Sequence, residues 1–413
     1  MSTVSSTDTV KGAYGGDGGA LFGLAMKTGF LTLITLGIYR FWAKTRIRRY
    51  MWSATAPGGA PFEYTGTGLE KFLGFLVAIV VLALYLGVLQ LLLFFVGLNI
   101  FAGGTDPQAV LRQLAATYIT LFAVLPLVFF AQYRSRRYLL SRTRWRGIRF
   151  GAETGAVGYM LRALGYTLLT IISLGLLAPL AAFKLEKYMV DRTWYGDIKF
   201  AQDGKWTMLY GSMKHIFIGL GLVIGGAAIG GFSDIPALAI LGGVVGTFWL
   251  YFGIFYFQVD GFRRMANHKK VGDVIGFDTK PKVWTVIGHV LLGSLAAGAA
   301  AFAVILVAGL VGGSIIGFSS FDMMMNPDGL ANQQPDMASA ALGGLIFFLG
   351  YILAIIVAGA LILVMVNQPI IAHYVTSTTI LNASRLDTVR QRGDDEMVDA
   401  EGFADALDVG GGF

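Results

Sequence analysis

Apolar residues run along this chain in six long blocks, near 71–98, 113–133, 214–232, 236–258, 284–318 and 341–371, each free or nearly free of charge. A helix needs about 20 such residues to cross a hydrocarbon core, so six transmembrane helices are predicted. Two further apolar stretches, 20–41 and 157–183, contain Lys27 and Arg162. Between the blocks the pattern changes. "TRWRGIRF" and "TWYGDIKF" each place a glycine mid-way and follow it with Ile-x-Phe alternation, Ile148/Phe150 and Ile198/Phe200. That is a tight turn followed by a short strand of period two. The expected fold is an all-α polytopic membrane protein with small cytoplasmic β-hairpins repeated between its helices.

One spacing recurs: Tyr, then Thr five residues on, then Phe seven further. It reads Tyr50/Thr55/Phe62, Tyr138/Thr143/Phe150 and Tyr188/Thr193/Phe200, with weaker copies at Met265/Lys270/Phe277 and Tyr374/Thr379/Leu386. Internal similarity of this kind marks a repeated structural unit. Phe62, Phe150, Phe200 and Phe277 are expected in equivalent places, each packing a hairpin against a helix end. The stretch "TLITLGIYRFWAKTRIRRY" from Thr32 also has a twin in "TIISLGLLAPLAAFKLEKY" from Thr170, with Gly37 and Gly175 each thirteen residues before the final Tyr. The organisation predicted is an N-terminal segment 1–19, membrane halves 20–150 and 151–282 with two repeats each, a further helix pair with the fifth repeat over 283–392, and an acidic tail 393–413.

Composition agrees with a bilayer protein: 55% hydrophobic and 14% charged residues exceed what a soluble chain of 413 residues could bury. The first 19 residues lack the apolar core of a signal peptide, so no cleaved signal is expected. Charge sets the orientation. Segments 40–49, 134–149, 184–214 and 260–282 hold 24 of the 32 Lys and Arg residues, whereas 97–112, 232–236 and 319–340 hold only Arg112. Basic short loops face the cytoplasm, which places the repeats inside. Tyr39, Phe41, Trp42, Tyr50 and Trp52 suit an aromatic belt there. The segment 157–183 joins two basic repeats, so a single crossing would put them on opposite sides. A re-entrant or broken hairpin with break points at Gly165 or Gly175 resolves this, and 20–41 follows by likeness. Eight full crossings are the alternative.

The run "TLGIYRFWAKTRIRRY", the "FEYTGTG" that follows it and the closing "GFADALDV" resemble the YjgN-like family of bacterial inner-membrane proteins, from about Tyr14 to Val409. The resemblance implies location and architecture and supplies no activity. Met265 and Lys270 depart from the pattern, which puts the repeat hydroxyls in doubt there.

No chemistry of catalysis stands out. Cysteine is absent, and His215, His268, His289 and His373 are scattered without metal-ligand spacing. Neither enzyme activity nor a cofactor is expected. Intramembrane polar residues are functional candidates by default: Lys27, Arg162, His289, Gln90 and Asn367. Snorkelling and helix-to-helix hydrogen bonds are their plain structural readings. Arg40, Lys44, Arg46, Arg48, Arg49, Arg134, Arg136 and Arg137 are candidate contacts for anionic headgroups. A nucleic-acid surface in "YRFWAKTRIRRY" explains the same residues less well, because the patch abuts an apolar segment. Gly221/Gly225, Gly226/Gly230, Gly242/Gly246 and Gly309/Gly313 give GxxxG spacing for close helix packing. "NPDGLANQQPD", Asn326 to Asp336, reads as a periplasmic loop. The tail after Arg392 holds seven acids and no base, and is expected to dock on the basic face through Phe403 and Leu407 or to stay solvated. Transport through a pseudo-repeated bundle is the first functional expectation. A non-catalytic scaffold binding anionic lipid or a protein partner is the second.

Overall fold

The structure, a computed structural model, describes residues 8–100, 106–233, 235–316 and 337–392. The Asn326 to Asp336 loop and the acidic tail lie outside the described residues. Two compact units form: the first comprises Met1–Gly15, Lys44–Val283 and Tyr374–Phe413, the second Gly16–Ala43 and Trp284–His373.

The first unit is organised by an antiparallel sheet of nine strands, β1 (Thr9–Lys11), β2 (Phe62–Tyr64), β3 (Thr143–Trp145), β4 (Ile148–Ala152), β5 (Thr193–Tyr195), β6 (Ile198–Gln202), β7 (Lys269–Val271), β8 (Ile275–Thr279) and β9 (Thr378–Leu381). Their order is β1-β9-β8-β7-β6-β5-β4-β3-β2. The separate hairpins expected from the sequence are therefore one continuous sheet, and the fold is not all-α. Strands of three to five residues cannot leave a row of backbone N–H and C=O groups unpaired, and each hairpin satisfies its edge with the next. The two outermost strands are tied too: Ala56 N donates to Ala13 O (2.9 Å), and Tyr14 bridges Thr55.

Pairing puts Phe62 opposite Trp145, Phe150 opposite Tyr195, Phe200 opposite Val271 and Phe277 opposite Ile380. The four phenylalanines do hold equivalent places, but they line the sheet's apolar interior instead of capping helix ends, with the Phe150 ring between those of Phe62 and Phe200, centroids 6.1 and 6.4 Å away. Threonine hydroxyls just past the helix ends bond back one turn, Thr55 to Met51 O, Thr143 to Leu139 O, Thr193 to Met189 O and Thr378 to Tyr374 O. In the last two copies the spacing read from the sequence is one residue out. Lys269, not Lys270, and Thr378, not Thr379, take this register, as their pairing with Gln202 and Thr279 shows. In the fourth copy the cause is the turn. Arg146–Gly147 closes β3–β4 in two residues with φ of 53° and 76°, the primed geometry that suits a hairpin, whereas β7–β8 takes three residues, 272–274. The C-terminal segment crosses the turns: Leu386 and Val389 enter the core, and Arg390 N donates to Asp197.

Helices leave the sheet in antiparallel pairs. Between β2 and β3 run α3 (Gly68–Phe95) and α4 (Pro107–Ser141); between β4 and β5, α5 (Ala156–Ile172) and α6 (Ala178–Val190); between β6 and β7, α7 (Tyr210–Phe232) and α8 (Pro236–Ala266). In the second unit α1 (Gly18–Ile34), which α2 (Arg40–Ala54) follows in the chain, packs on α10 (Met337–Ile362), close enough that a Cβ on Gly29 would meet Ile356 at 2.7 Å. This unit also holds α9 (Val283–Ile316) and, after a π-helical turn at Leu363–Asn367, most of α11 (Gln368–Thr376). Pro369 cannot donate to that turn, which accounts for the bulge. Six helices among the described residues are long and apolar enough to cross a membrane, in the six places the apolar blocks predict.

The twin segments both break. α1 ends at Leu36–Gly37 and α5 at Leu174–Gly175, with φ of 51° and 90° in the first and 51° and 87° in the second. In each, the glycine N–H reaches a threonine carbonyl five residues back, Thr32 (2.7 Å) and Thr170 (2.8 Å), the bond that closes a helix with a left-handed residue. Gly165 stays inside α5 and is not a break point. Because β4 and β5 are neighbours, the segment 157–183 returns to the side it left.

Candidate functional site

The base of the α5–α6 hairpin gathers a polar and aromatic cluster. Tyr133 from α4, Tyr159 from α5 and Tyr188 from α6 are buried with ring centroids 5.6–6.0 Å apart. Their hydroxyls hold the loop entering α5: Tyr133 donates to Glu153 O (2.8 Å) and Tyr188 to Gly155 O (3.0 Å). Arg137 Nε adds a bond to Ala152 O (3.0 Å). Gly155 and Gly158 are required here, since a Cβ on either would lie 2.9 or 2.5 Å from the Tyr188 oxygen.

Two guanidiniums share the Tyr188 ring, Arg192 at 3.6 Å and Arg162 at 4.7 Å from its centroid. Each also donates to a carbonyl, Arg192 to Tyr188 O (3.3 Å) and Arg162 to Gly158 O (2.9 Å). Neither meets a carboxylate among the described residues. The ring's quadrupole favours both cations but neutralises neither. Gly155 at the α5 N-cap offers no side chain to the first amides of the helix, an end that carries partial positive charge.

Beside this lies an ionic triad. Glu186 on α6 takes a bond from Lys269 Nζ (2.7 Å) and faces Arg136 (3.6 Å). Burial pushes the carboxyl's pKa up, but Lys269 and Arg136 outweigh it and hold it below the usual range. The base of α3–α4 is built otherwise: Tyr138 donates to Glu70 (2.8 Å), which also pairs with Arg142 (3.2 Å). At the base of α7–α8, buried Asp260 accepts from Ser212 (2.6 Å) and Arg264 (2.7 Å) and pairs with Arg263. Each helix pair is thus rooted in a charged or hydroxyl-rich knot.

The residues singled out from the sequence are scattered. Arg162 is in the cluster; Lys27 is exposed on α1 in the other unit. They are not counterparts, because Lys27 lies ten residues before its tip glycine and Arg162 thirteen. Gln90 donates to Thr120 (2.9 Å) across α3 and α4, next to an apolar cavity of about 420 Å³ lined by Thr117, Leu121 and Val124. His289 is half-buried on α9, and Asn367 ends the π-helical turn. Of the basic residues proposed to meet lipid, Arg48 is 1% exposed and donates to Tyr64, Arg136 is engaged by Glu186, and Arg137 holds Ala152. Arg49 reaches Gly66 O (3.4 Å), Arg40 lies over Phe41 and Arg134 over Phe130. Arg46 and Arg49 are exposed and Lys44 is half-buried. Glu186, Arg192, Asp260 and the buried Lys71 escaped the sequence reading. Their only signal was an acid or base set within a basic helix end, as in "KLEKY".

Comparison with known proteins adds location. Over 77 residues the chain is 32% identical to "Inner membrane protein YjgN" of Salmonella typhimurium, a stretch covering 19% of this chain and 20% of that protein. No solved structure matches the fold. The six spans and this relative make the protein a multi-pass protein of the inner membrane. Residues 9–297 match the family described as "Bacterial protein of unknown function (DUF898)", and that match, over most of the chain and eight of its nine strands, places the protein in this family.

Proposed function

We propose that the protein is a non-catalytic scaffold of the inner membrane, made of repeated helix-pair and hairpin units, which carries its sheet on the cytoplasmic side and holds an anionic lipid headgroup at the base of the α5–α6 hairpin. The carrying observation is the pair Arg162 and Arg192 on one Tyr188 ring, neither of which meets a carboxylate among the described residues. A lipid phosphate there would neutralise both and meet the α5 amides. The orientation rests on the basic residues, which concentrate at the sheet ends of the helices. Impermeant thiol labelling of Asp197→Cys from outside intact cells would refute it.

Transport, the first expectation from sequence, draws on the two broken segments. Against it, α7 and α8 pack dry: a Cβ on Gly226 would lie 2.5 Å from the Gly242 Cα. Lys27 and Arg162 line neither the 420 Å³ cavity nor one of about 550 Å³ at the sheet between Asp8, Pro57 and Asp387. The deciding experiment is thermal unfolding of detergent-purified protein with phosphatidylglycerol against phosphatidylcholine. The anionic lipid should raise Tm by roughly 2 °C or more, and Arg162→Gln with Arg192→Gln should abolish the difference. An undiminished difference in the double variant, or solute flux in proteoliposomes, would overturn the reading.

A further inference from the structure

The outer face of the sheet carries several cations that meet no carboxylate among the described residues. Alternation that turns Trp145, Phe150, Tyr195 and Phe200 into the core turns Arg144, Arg149, Trp194 and Lys199 outward. Arg144 and Arg149 are direct cross-strand partners, a placement in which like charges repel. Glu63 stands opposite Arg144 on β2 without closing an ion pair, and Lys199 is engaged by Glu153 (2.8 Å). Arg392 stacks on Trp194 at 4.5 Å from its centroid, and Lys199 Nζ lies at 4.9 Å. Among the described residues the guanidiniums of Arg144, Arg149, Arg390 and Arg392 have no carboxylate partner. The chain is held at this place by Arg149 N donating to Gln391 Oε1 (2.8 Å) and Asp197 N donating to Arg390 O (2.9 Å).

Two residues past Arg392 the sequence turns acidic, with seven acids and no base between Asp394 and Asp408. We propose that this segment, residues 394–408, binds the face formed by Arg144, Arg149, Trp194 and Arg392 of its own chain. Three observations choose this occupant. The charges are complementary, the attachment point already lies on the patch, and the cross-strand arginine pair is unfavourable until an anion joins it. Bound there, the segment covers a basic and aromatic surface of the chemistry that takes acidic peptides, so the protein carries its own competitor. This does not depend on the lipid reading, which concerns other residues.

The chain has no cysteine, so Met397→Cys can be labelled with bimane, which tryptophan quenches on contact. Dim fluorescence is expected at low salt, where the Debye length is about 30 Å, brightening at 1 M salt, where it is about 3 Å. Trp194→Phe should also brighten it. Arg144→Gln with Arg149→Gln should lower the bound-to-free ratio about fivefold, the size expected of two partly exposed ion pairs. Equal brightness at both salt concentrations, or no change with Trp194→Phe, would overturn the proposal. So would quenching that rises with protein concentration, because the occupant would then belong to a second copy. If Trp194→Phe does not fold, protease release of the tail decides: an unchanged rate in the double arginine variant is fatal.

Discussion

Two helix pairs flank the β5–β6 hairpin, and they answer the membrane in opposite ways. α7 and α8, with 23 and 31 residues, are long enough to cross; α5 and α6, with 17 and 13, are not, and their connection breaks at Leu174–Gly175. The long pair has its polar knot only at the root, where Asp260 sits, and beyond it brings backbones together at Gly219, Gly226, Gly230, Gly242 and Gly246. The short pair keeps Arg162 two turns into α5 and spends its tyrosines on the loop that leads in. Length and glycine packing make a span, whereas shortness brings charge and aromatic groups into one place. The difference lies in what each pair must satisfy: close van der Waals approach in one, cations that meet no carboxylate among the described residues in the other.

The sharpest way to break this contrast is to exchange the glycine requirement. Gly226→Leu should destabilise the protein by about 3 kcal/mol or separate α7 from α8, since the new side chain meets the Gly242 backbone. Gly165→Ala, on the short pair, meets nothing within 4 Å and should be neutral or slightly stabilising. Unfolding in detergent measures both. Equal losses would mean that the two pairs are packed by the same rule.

Glu186→Gln probes the other side. It leaves Arg136 and Lys269 facing a neutral amide and should cost about 1–3 kcal/mol. The pH dependence has a definite sign. The folded carboxyl titrates below its ordinary value near 4.5, so its stabilisation is complete above that value and is lost as pH falls through the lower, folded one. Acidification below about pH 4.5 should therefore weaken the parent more than the variant. A variant with the same acid profile as the parent would remove Glu186 from the account.

How much of this was legible follows the physics. Spans were visible because lipid-facing surfaces must be apolar along their whole length, and Gly175 was visible as a break because few other residues accept positive φ. The sheet was not, since its strands have three to five residues and its outermost pairing joins Thr9 to Leu381 across the chain. One added turn residue between Val271 and Ile275 displaced the fourth repeat copy. Glu186 was hidden because its partners Arg136 and Lys269 lie far from it in sequence, and Arg192 was read only as one more topogenic cation.

The smallest effect concerns the hairpin tips. Leu174 and Leu36 hold φ of 51° and are 89% and 93% exposed, in the two equivalent tip turns. A left-handed conformation costs a non-glycine residue about 1–2 kcal/mol, yet leucine stands where glycine would be unstrained. Leu174→Gly should relieve that strain, while glycine's greater freedom in the unfolded chain takes back about 0.5–1 kcal/mol. In detergent the net gain should be under about 1 kcal/mol. In lipid bilayers the outcome depends on whether the tip is immersed, because burying a leucine side chain in an apolar phase is worth about 1.5–3 kcal/mol. An immersed tip makes Leu174→Gly destabilising in bilayers and leaves it slightly stabilising in detergent, where the bilayer contact is absent. Leu174→Asn separates the two contributions: asparagine tolerates the left-handed region but cannot replace the apolar contact. If both variants shift stability equally in the two media, the leucines lie outside the hydrocarbon, and the short hairpin ends at the membrane surface instead of entering it.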